Sequence, residues 1–245
     1  MFNMTMRAAC LALIAAGVVT QATAAEPEST LGFNASVTTD YRFRGLTQSR
    51  FDPALQAGAD YSHSSGLYVG AWASTIKWIK DAGGNSNPEI DLYGGYKGSA
   101  GDVGYDVGLA RYQYPSHNLA VSPNTTELYG SLSMGPVTAK YSHALTNAFG
   151  IGNSKNSDYL ELNASFDLGS GWSVAPHVGR QRIRGAGNGF LSYSDYALAL
   201  GKDFGSGLSA TVALVGTNAP LAAYATPSGK RLGRDGLVAS LKYNF

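Results

Sequence analysis

The chain has 245 residues, and charged residues make up only 14% of it, well below the roughly 25% that is usual in soluble globular proteins. Without Arg7, 17 basic residues balance 17 acidic ones, so no basic surface for a nucleic-acid partner is expected. The 31 Gly and 15 Tyr, together with many Ser, Thr and Asn, disfavour helices and favour strands.

Residues 1–25 are predicted to be a signal peptide for Sec export. Arg7 supplies its positive charge, residues 8–19 are an apolar run, and Ala22-Thr23-Ala24 gives the small residues that precede cleavage. The single cysteine of the chain lies in this segment, so the mature part, residues 26–245, is expected to form no disulfide. No later stretch has the roughly 20 apolar residues that a membrane-spanning helix needs.

The mature part shows the alternation of apolar and polar residues that is typical of strands. Between Phe33 and Arg44, for example, every second residue is apolar or Thr and the intervening ones are polar. Twelve strands are predicted, each long enough to cross a bilayer when tilted. They span 33–44, 53–62, 66–76, 89–97, 103–114, 125–133, 136–146, 158–167, 172–182, 194–203, 208–217 and 236–245.

The connections between these strands alternate in length along the whole chain. Those after even-numbered strands have about two to five residues and are rich in Gly, as hairpin turns are, whereas those after odd-numbered strands have about eight to eighteen. Short turns at one end and long loops at the other are typical of bacterial outer-membrane barrels. The pattern therefore predicts an all-β fold, a transmembrane antiparallel up-and-down β-barrel in the outer membrane of a Gram-negative bacterium.

The last predicted strand has the form of an assembly signal. An apolar or aromatic residue occupies every second position up to the C-terminus: Leu237, Ala239, Leu241, Tyr243 and Phe245. Outer-membrane barrels commonly end in this way. The resemblance implies that the barrel-assembly machinery and periplasmic chaperones handle the chain, and that its final surroundings are outer-membrane lipid and lipopolysaccharide.

Several longer segments resemble a known family. They are residues 39–45 (TDYRFRG), 47–48, 52–54, 70–74 (GAWAS), 89–96 (EIDLYGGY), 105–108, 127–130 and 177–180. Together they resemble the TorF family of porins over nearly the whole mature chain. This resemblance implies a porin-type barrel and a transport role.

On the predicted faces, the interior of the barrel is polar and carries charges of both signs. The candidate pore-lining residues are Asp40, Arg42, Arg44, Gln56, Asp60, Asp91, Lys97, Asp106, Lys140, Glu161, Asp167 and Lys242. A polar interior suits an aqueous passage or a closed network of ion pairs equally well. Arg42 and Arg44 share one face and are the strongest candidates for a constriction; alternatively they pair with Asp40, Asp60 or Asp91 and stiffen the wall.

Three functions fit these patterns. The first is a porin-like channel for passive diffusion of small hydrophilic solutes, since twelve strands lie between barrels that fill themselves and wide pores. The second is a sealed structural barrel. The third is an enzyme that modifies outer-leaflet lipids, with His143 as base and Ser157 as a possible nucleophile on the next strand. No residue spacing suggests a metal site or a cofactor.

Overall fold

The computed structural model describes residues 28–245. The predicted signal peptide, residues 1–25, lies outside the described residues. The described part is all β apart from one short helix and one 3-10 turn. Its strands are β1 (Ser29–Thr38), β2 (Arg42–Phe43), β3 (Leu46–Thr47), β4 (Ala54–His63), β5 (Leu67–Thr75), β6 (Pro88–Ala100), β7 (Val103–Gln113), β8 (Thr125–Met134), β9 (Val137–Ala144), β10 (Asp158–Ala164), β11 (Phe166–Gly169), β12 (Trp172–Arg182), β13 (Tyr193–Gly205), β14 (Leu208–Thr217) and β15 (Gly236–Asn244).

These strands close into a barrel of twelve antiparallel strands when β10 and β11 are counted as one, which confirms the predicted fold. Each strand pairs with its neighbours along the chain, and β1 closes the ring by pairing with β15. Val37, for example, lies opposite Leu241 on one side and Leu55 on the other. Closure gives every strand two partners, so the sheet has no free edge. The small hairpin β2–β3 stands apart from this ring.

A proline explains why one barrel strand is divided. Pro176 lies within β12, where its pairing with β13 is regular. On its other side, the pairing of β12 with β10 ends at Asn163 and resumes with β11 at Phe166. Because proline has no N–H to donate, the ladder is interrupted where the neighbouring strand passes Pro176. A proline inside a strand predicts an irregularity of this kind, and the structure shows it here.

The two faces of the barrel differ in the way a lipid environment requires. On β10 the outward residues Leu160 and Leu162 are 55% and 49% exposed, whereas the inward residues Glu161 and Asn163 are buried. Apolar side chains therefore cover the outside and polar ones fill the inside, the reverse of a soluble protein. Exposed aromatics, among them Tyr61, Tyr96 and Trp172, lie near the short turns, as in an interfacial girdle.

The connections separate the barrel into a short-turn end and a long-loop end. The short turns are residues 64–66, 101–102, 135–136, 170–171 and 206–207. The long connections are residues 39–53, 76–87 with helix α1 (Trp78–Asp81), 114–124, 145–157, 183–192 with the 3-10 turn Gly189–Leu191, and 218–235. The start of β1 at Ser29 and the end of β15 at Asn244 both lie at the short-turn end. Among the described residues, no helix is long and apolar enough to span a membrane.

Candidate functional site: the barrel interior

The first long connection, residues 39–53, folds into the barrel instead of outward. We call it the inward loop. Its shape depends on the buried carboxylate of Asp40, whose Oδ2 accepts a hydrogen bond from Arg42 Nε at 2.5 Å. The other oxygen, Oδ1, accepts from the hydroxyl of Ser49 at 3.2 Å and from that of Thr47. Because several donors surround this carboxylate, its charge is compensated inside the fold.

The predicted extent of the first strand, 33–44, was wrong, because residues 39–44 belong to the inward loop. β1 ends at Thr38, although the alternating pattern continues to Phe43. The backbone then turns through left-handed conformations at Arg44 (φ 47°) and Gly45 (φ 76°), so it does not continue as an extended barrel strand. The aromatic residues of the pattern pack inside the barrel: Tyr41 is 2% exposed, and its ring meets Trp72 edge-on at 5.3 Å.

Arg44, at the tip of the β2–β3 hairpin, reaches the far wall of the barrel. Its Nη2 donates to Glu127 Oε2 on β8 and its Nη1 to Gln181 Oε1 on β12, both at 2.6 Å. The side chains of Arg44 and Glu127 are only 6% and 3% exposed. Burial opposes the charge of Arg44, but Glu127 outweighs that effect and raises the pKa of the guanidinium above its usual range.

Aromatic rings surround the guanidinium of Arg44. Its Cζ lies 4.3 Å from the ring centre of Tyr159, 4.8 Å from that of Phe43 and 5.6 Å from that of Phe149. Phe43, Tyr112 and Phe149 also contact one another edge-on, each pair at 5.3 Å. Cation–π contacts in a dry site add to the ion pair, so the inward loop is held firmly across the barrel.

Apolar side chains fill the β4–β7 side of the barrel at its long-loop end. Tyr41 packs there with Ile76, Ile79 and Tyr114, none of them more than 3% exposed. The hydroxyl of Tyr41 donates to Glu89 Oε1 at 3.3 Å. Burial, together with the nearby carboxylate of Glu89, raises the pKa values of both tyrosines, so they remain neutral.

The wall on the opposite side of the inward loop is built from small residues. The side chains that β13, β14 and β15 turn inward here are those of Ala197, Ala199, Ala213, Val215 and Val238. Since they reach only a short way into the barrel, they leave a cavity of about 190 Å³ between this wall and the loop. Arg42 and Arg44 border the cavity from the loop, and Thr211 and Ser240 border it from the wall.

A hydrogen-bonded network of side chains from β10, β12 and β13 forms another wall of the cavity. His177 lies at its centre, with Nε2 2.7 Å from Asp195 Oδ2 and Nδ1 2.5 Å from Asn163 Oδ1. Asn163 Nδ2 donates to Glu161 at 2.9 Å, and the hydroxyl of Tyr159 donates to Asp195 at 3.0 Å. The ring of His177 therefore has an oxygen at each nitrogen, and the network holds polar groups at fixed positions facing the cavity.

Towards the short-turn end, the interior carries charges beside tyrosine rings. Tyr68 donates its hydroxyl hydrogen to Asp106 at 2.6 Å, and Lys97 Nζ lies 5.5 Å from the centre of the same ring. Lys140 Nζ lies 4.3 Å from the ring centre of Tyr129. Charges of both signs line this half.

Comparison with known families identifies the chain only at the level of a family. The family described as "Bacterial protein of unknown function (Gcw_chp)" matches residues 21–245. The chain belongs to this family. The match does not mention the TorF family, so that resemblance stays a prediction. No curated protein matches the sequence.

Solved structures of porins share the fold of this Gcw_chp protein. A structure described as the KdgM porin in complex with disordered oligogalacturonate has a TM-score of 0.55 at 7% identity, covering 89% of this chain and 98% of the porin. The NanC porin has a TM-score of 0.52 at 8% identity, covering 88% of this chain and 99% of the porin. At these identities the likeness concerns the fold.

The predicted pore-lining residues of the Gcw_chp chain fall into three groups. Asp40, Arg42 and Arg44 lie on the inward loop and not on a strand of the barrel, because β1 ends before them. Asp167 lies at the short-turn rim, exposed, where Oδ1 accepts from the N–H of Gly169. The others lie on the inward face of strands: Gln56, Asp60, Asp91, Lys97, Asp106, Lys140, Glu161 and Lys242. Their role in a pore stays a prediction.

Glu127, Glu89 and Asp195 were not among the predicted pore-lining residues. The pattern contained a signal for two of the missed residues, since Glu89 is two positions before Asp91 and Asp195 alternates with Ala197 and Ala199. Nothing in the sequence indicates that Glu127 is the partner of Arg44, because 83 residues separate them.

The proposed base His143 and nucleophile Ser157 of the Gcw_chp chain are engaged elsewhere. The ring of His143 stacks on Tyr141 with centres 6.4 Å apart. The buried hydroxyl of Ser157 donates to the carbonyl of Ser154 at 2.6 Å and accepts from the N–H of Arg184 at 3.0 Å. Within residues 28–245, no hydrogen bond joins His143 to Ser157, so the geometry does not pair this base with this nucleophile.

The last strand has the predicted outward face. Leu237, Leu241, Tyr243 and Phe245 are all between 44% and 72% exposed, and Ala239 is exposed beside them. The N–H of Phe245 donates to the carbonyl of Phe33 at 2.9 Å, so the C-terminal residue takes part in closing the barrel. The use of this face as an assembly signal stays a prediction.

Proposed function

We propose that this protein is a narrow outer-membrane channel through which small hydrophilic solutes diffuse passively. An apolar outer surface around a polar interior suits a lipid environment, and the parity of the connections suits an outer-membrane barrel with its long loops outside the cell. The porin fold of the solved structures agrees with this proposal.

The cavity beside the inward loop is the observation that carries the proposal. A barrel of this size could fill its own interior. Here the β4–β7 side is filled with large side chains, whereas the inner wall of β13–β15 has Ala and Val. This difference leaves space along one wall, bordered by the charged loop, and we infer that this space is the constriction of the channel.

The charges at this constriction favour small hydrophilic solutes without a strong preference for one ionic sign. Arg42 is paired with Asp40, and Arg44 is paired with Glu127. Paired charges attract water and polar groups, but their long-range fields largely cancel. The cavity of about 190 Å³ beside these charges suits small solutes.

A sealed structural barrel is the second candidate, because the tight hold on Arg44 also favours it. Two hydrogen bonds and three aromatic rings keep the guanidinium inside the barrel. A loop held in this way closes much of the long-loop end of the barrel. The barrel would be sealed if the remaining space inside it did not run from one end to the other.

Liposome swelling separates the two candidates. The purified barrel is refolded into liposomes, which are then placed in isotonic solutions of uncharged solutes of increasing size, from glycerol to a trisaccharide. A narrow channel gives fast swelling with glycerol and slow or no swelling with the trisaccharide. Swelling that does not exceed that of protein-free liposomes with any solute would support the sealed barrel.

A further inference from the structure

Three arginines lie on the lipid-facing surface of the barrel strands. Arg111 follows Val107 and Leu109 on the outward face of β7, and Arg180 and Arg182 follow Val178 on the outward face of β12. Arg180 and Arg182 are exposed, and Arg111 is half-buried. Such positions are unusual, because a charge facing lipid is costly unless it lies near the interface or has a partner.

All three arginines lie near the long-loop end of their strands. β7 and β12 both run from the short-turn end to the long-loop end, and the arginines lie within the last three positions of these strands. Among the described barrel strands, every outward arginine is at this end. The outward lysine at the other end, Lys202, donates to the carbonyl of Ser170 at 2.5 Å and lies 5.1 Å from the ring centre of Trp172.

The positive charges of these arginines are not balanced by the protein. Arg180 Nη1 donates to Ser194 Oγ at 3.2 Å, and Arg111 Nη1 donates to Thr126 Oγ1 at 2.8 Å, both neutral acceptors. Arg182 lies opposite Asp158, but that carboxylate is bound by Arg184 at 2.7 Å. Within residues 28–245, no carboxylate lies within 4.0 Å of a guanidinium nitrogen of the three.

The surroundings of Arg180 show what kind of ligand would balance the charge. Leu160 lies opposite Arg180 on the neighbouring strand and is 55% exposed, and Tyr141 lies opposite Leu160 on the strand after that. Val178, two residues before Arg180 on the same outward face, is 54% exposed. A ligand here must combine an anionic head with an apolar body, as a lipid does. Arg180 and Arg182 stand about 7 Å apart on one face, so two phosphate oxygens of one headgroup can be reached together.

We propose that Arg111, Arg180 and Arg182 bind phosphate groups of lipopolysaccharide in the outer leaflet. Guanidinium groups bind phosphate through paired N–H donors, and anionic headgroups at the membrane surface attract outward basic residues. The proposal rests on the outer-membrane location with long loops outside, because only that orientation places the arginines in the lipopolysaccharide leaflet. Because the outward arginines of the described strands lie only at the long-loop end, they would bind anionic lipid in one leaflet and not in the other.

Unfolding of the refolded barrel in lipid vesicles tests this proposal without any measurement of conduction. The urea midpoint is measured in zwitterionic vesicles, in vesicles with added lipopolysaccharide and in vesicles with phosphatidylglycerol at equal negative charge. The variant Arg111→Gln/Arg180→Gln/Arg182→Gln is compared with the wild type and with Lys202→Gln, which removes an outward cation at the other end. The single variant Arg180→Gln serves if the triple variant refolds poorly.

Lipopolysaccharide should raise the urea midpoint of the wild type and of Lys202→Gln equally, and the triple variant should lose at least half of that rise. The rise with phosphatidylglycerol should be smaller and nearly the same in all three proteins. The proposal is overturned if the triple variant keeps the full rise, if Lys202→Gln loses as much, or if phosphatidylglycerol gives an equal effect. A barrel that fails to conduct but shows the expected shifts would reject the channel and keep the lipid site.

Discussion

Arg44 Nη2 lies 2.6 Å from Glu127 Oε2, and this pair joins the inward loop to the far wall of the barrel. Both side chains are buried, and 83 residues separate them along the chain. Because a buried charge is costly without its partner, the two residues depend on each other. The position of the loop within the barrel follows from this dependence.

Removing one member of the pair should destabilise the barrel more than removing both. Arg44→Met leaves Glu127 buried without its cation and should lower the free energy of unfolding by about 3–5 kcal/mol. Adding Glu127→Leu should recover a large part of that loss. Urea unfolding of the refolded barrel in vesicles measures both effects.

Arg50→Gln provides the control for this pair, because Arg50 binds Asp81 at an exposed site of the same loop. Exposed ion pairs contribute about 0–1 kcal/mol, so this variant should unfold nearly like the wild type. Equal losses of unfolding free energy in Arg44→Met and Arg50→Gln would show that the buried pair contributes no more to stability than the exposed one.

The close packing of the loop tip against the wall gives a second prediction. A Cβ added to Gly45 would collide with Thr217 Cγ2 and Asp195 Cβ, and the backbone there has a positive φ of 76°. Gly45→Ala should therefore lower the free energy of unfolding by on the order of 2 kcal/mol or more and displace the loop.

Gly83→Ala is the matched control, because Gly83 also has a positive φ, 88°, but no atom lies within 4 Å of its added Cβ. It should show only the backbone cost, on the order of 1 kcal/mol. If the two variants unfold at the same urea concentration, the loop tip is not packed against Thr217 and Asp195.

The two faces of the barrel should respond differently to a new charge. Leu162→Arg places a cation in the lipid-facing band and should cost about 2–4 kcal/mol. Ser131→Arg faces the interior between Asp106 and Lys140 of the neighbouring strands and should cost much less. Asn163 would be an unsuitable interior control, because its amide is buried and bonds His177 and Glu161. Similar losses at Leu162 and Ser131 would contradict the faces described above.

The orientation in the membrane can be read with single cysteines, since the only cysteine of the chain, Cys10, lies in the predicted signal peptide. Ser228→Cys, in the exposed connection 218–235, should react with an impermeant thiol reagent on intact cells. Ser206→Cys, in a short turn, should react only after the outer membrane is permeabilised. The opposite pattern would place the long loops in the periplasm.

The barrel could be predicted from the sequence because its determinants are local. Alternation along residues such as Leu160 to Asn163 specifies a strand and its two faces, and the Gly-rich turns specify which strands are neighbours. The predicted strands therefore agree with the observed ones over most of the chain. Even the irregularity at Pro176 follows from a local fact, the missing N–H.

The inward loop could not be predicted, because its determinants are distant in sequence. The alternation from Thr39 to Phe43 is the same for a strand and for a loop that buries Tyr41 and Phe43. The choice between them depends on Glu127 and Gln181, which can accept hydrogen bonds from Arg44 only after the barrel has closed. For the same reason the cavity beside the small-residue wall could not be predicted from the sequence.

Single-channel conductance in planar bilayers tests the channel most directly, with one pair of variants on β15. Ser240 borders the cavity, and Ala239, its neighbour, faces lipid. The wild type should open small, regular channels, Ser240→Phe should reduce their conductance at least severalfold, and Ala239→Phe should leave it unchanged. A wild type without channels, or equal conductance in Ser240→Phe and the wild type, would contradict a passage along this wall.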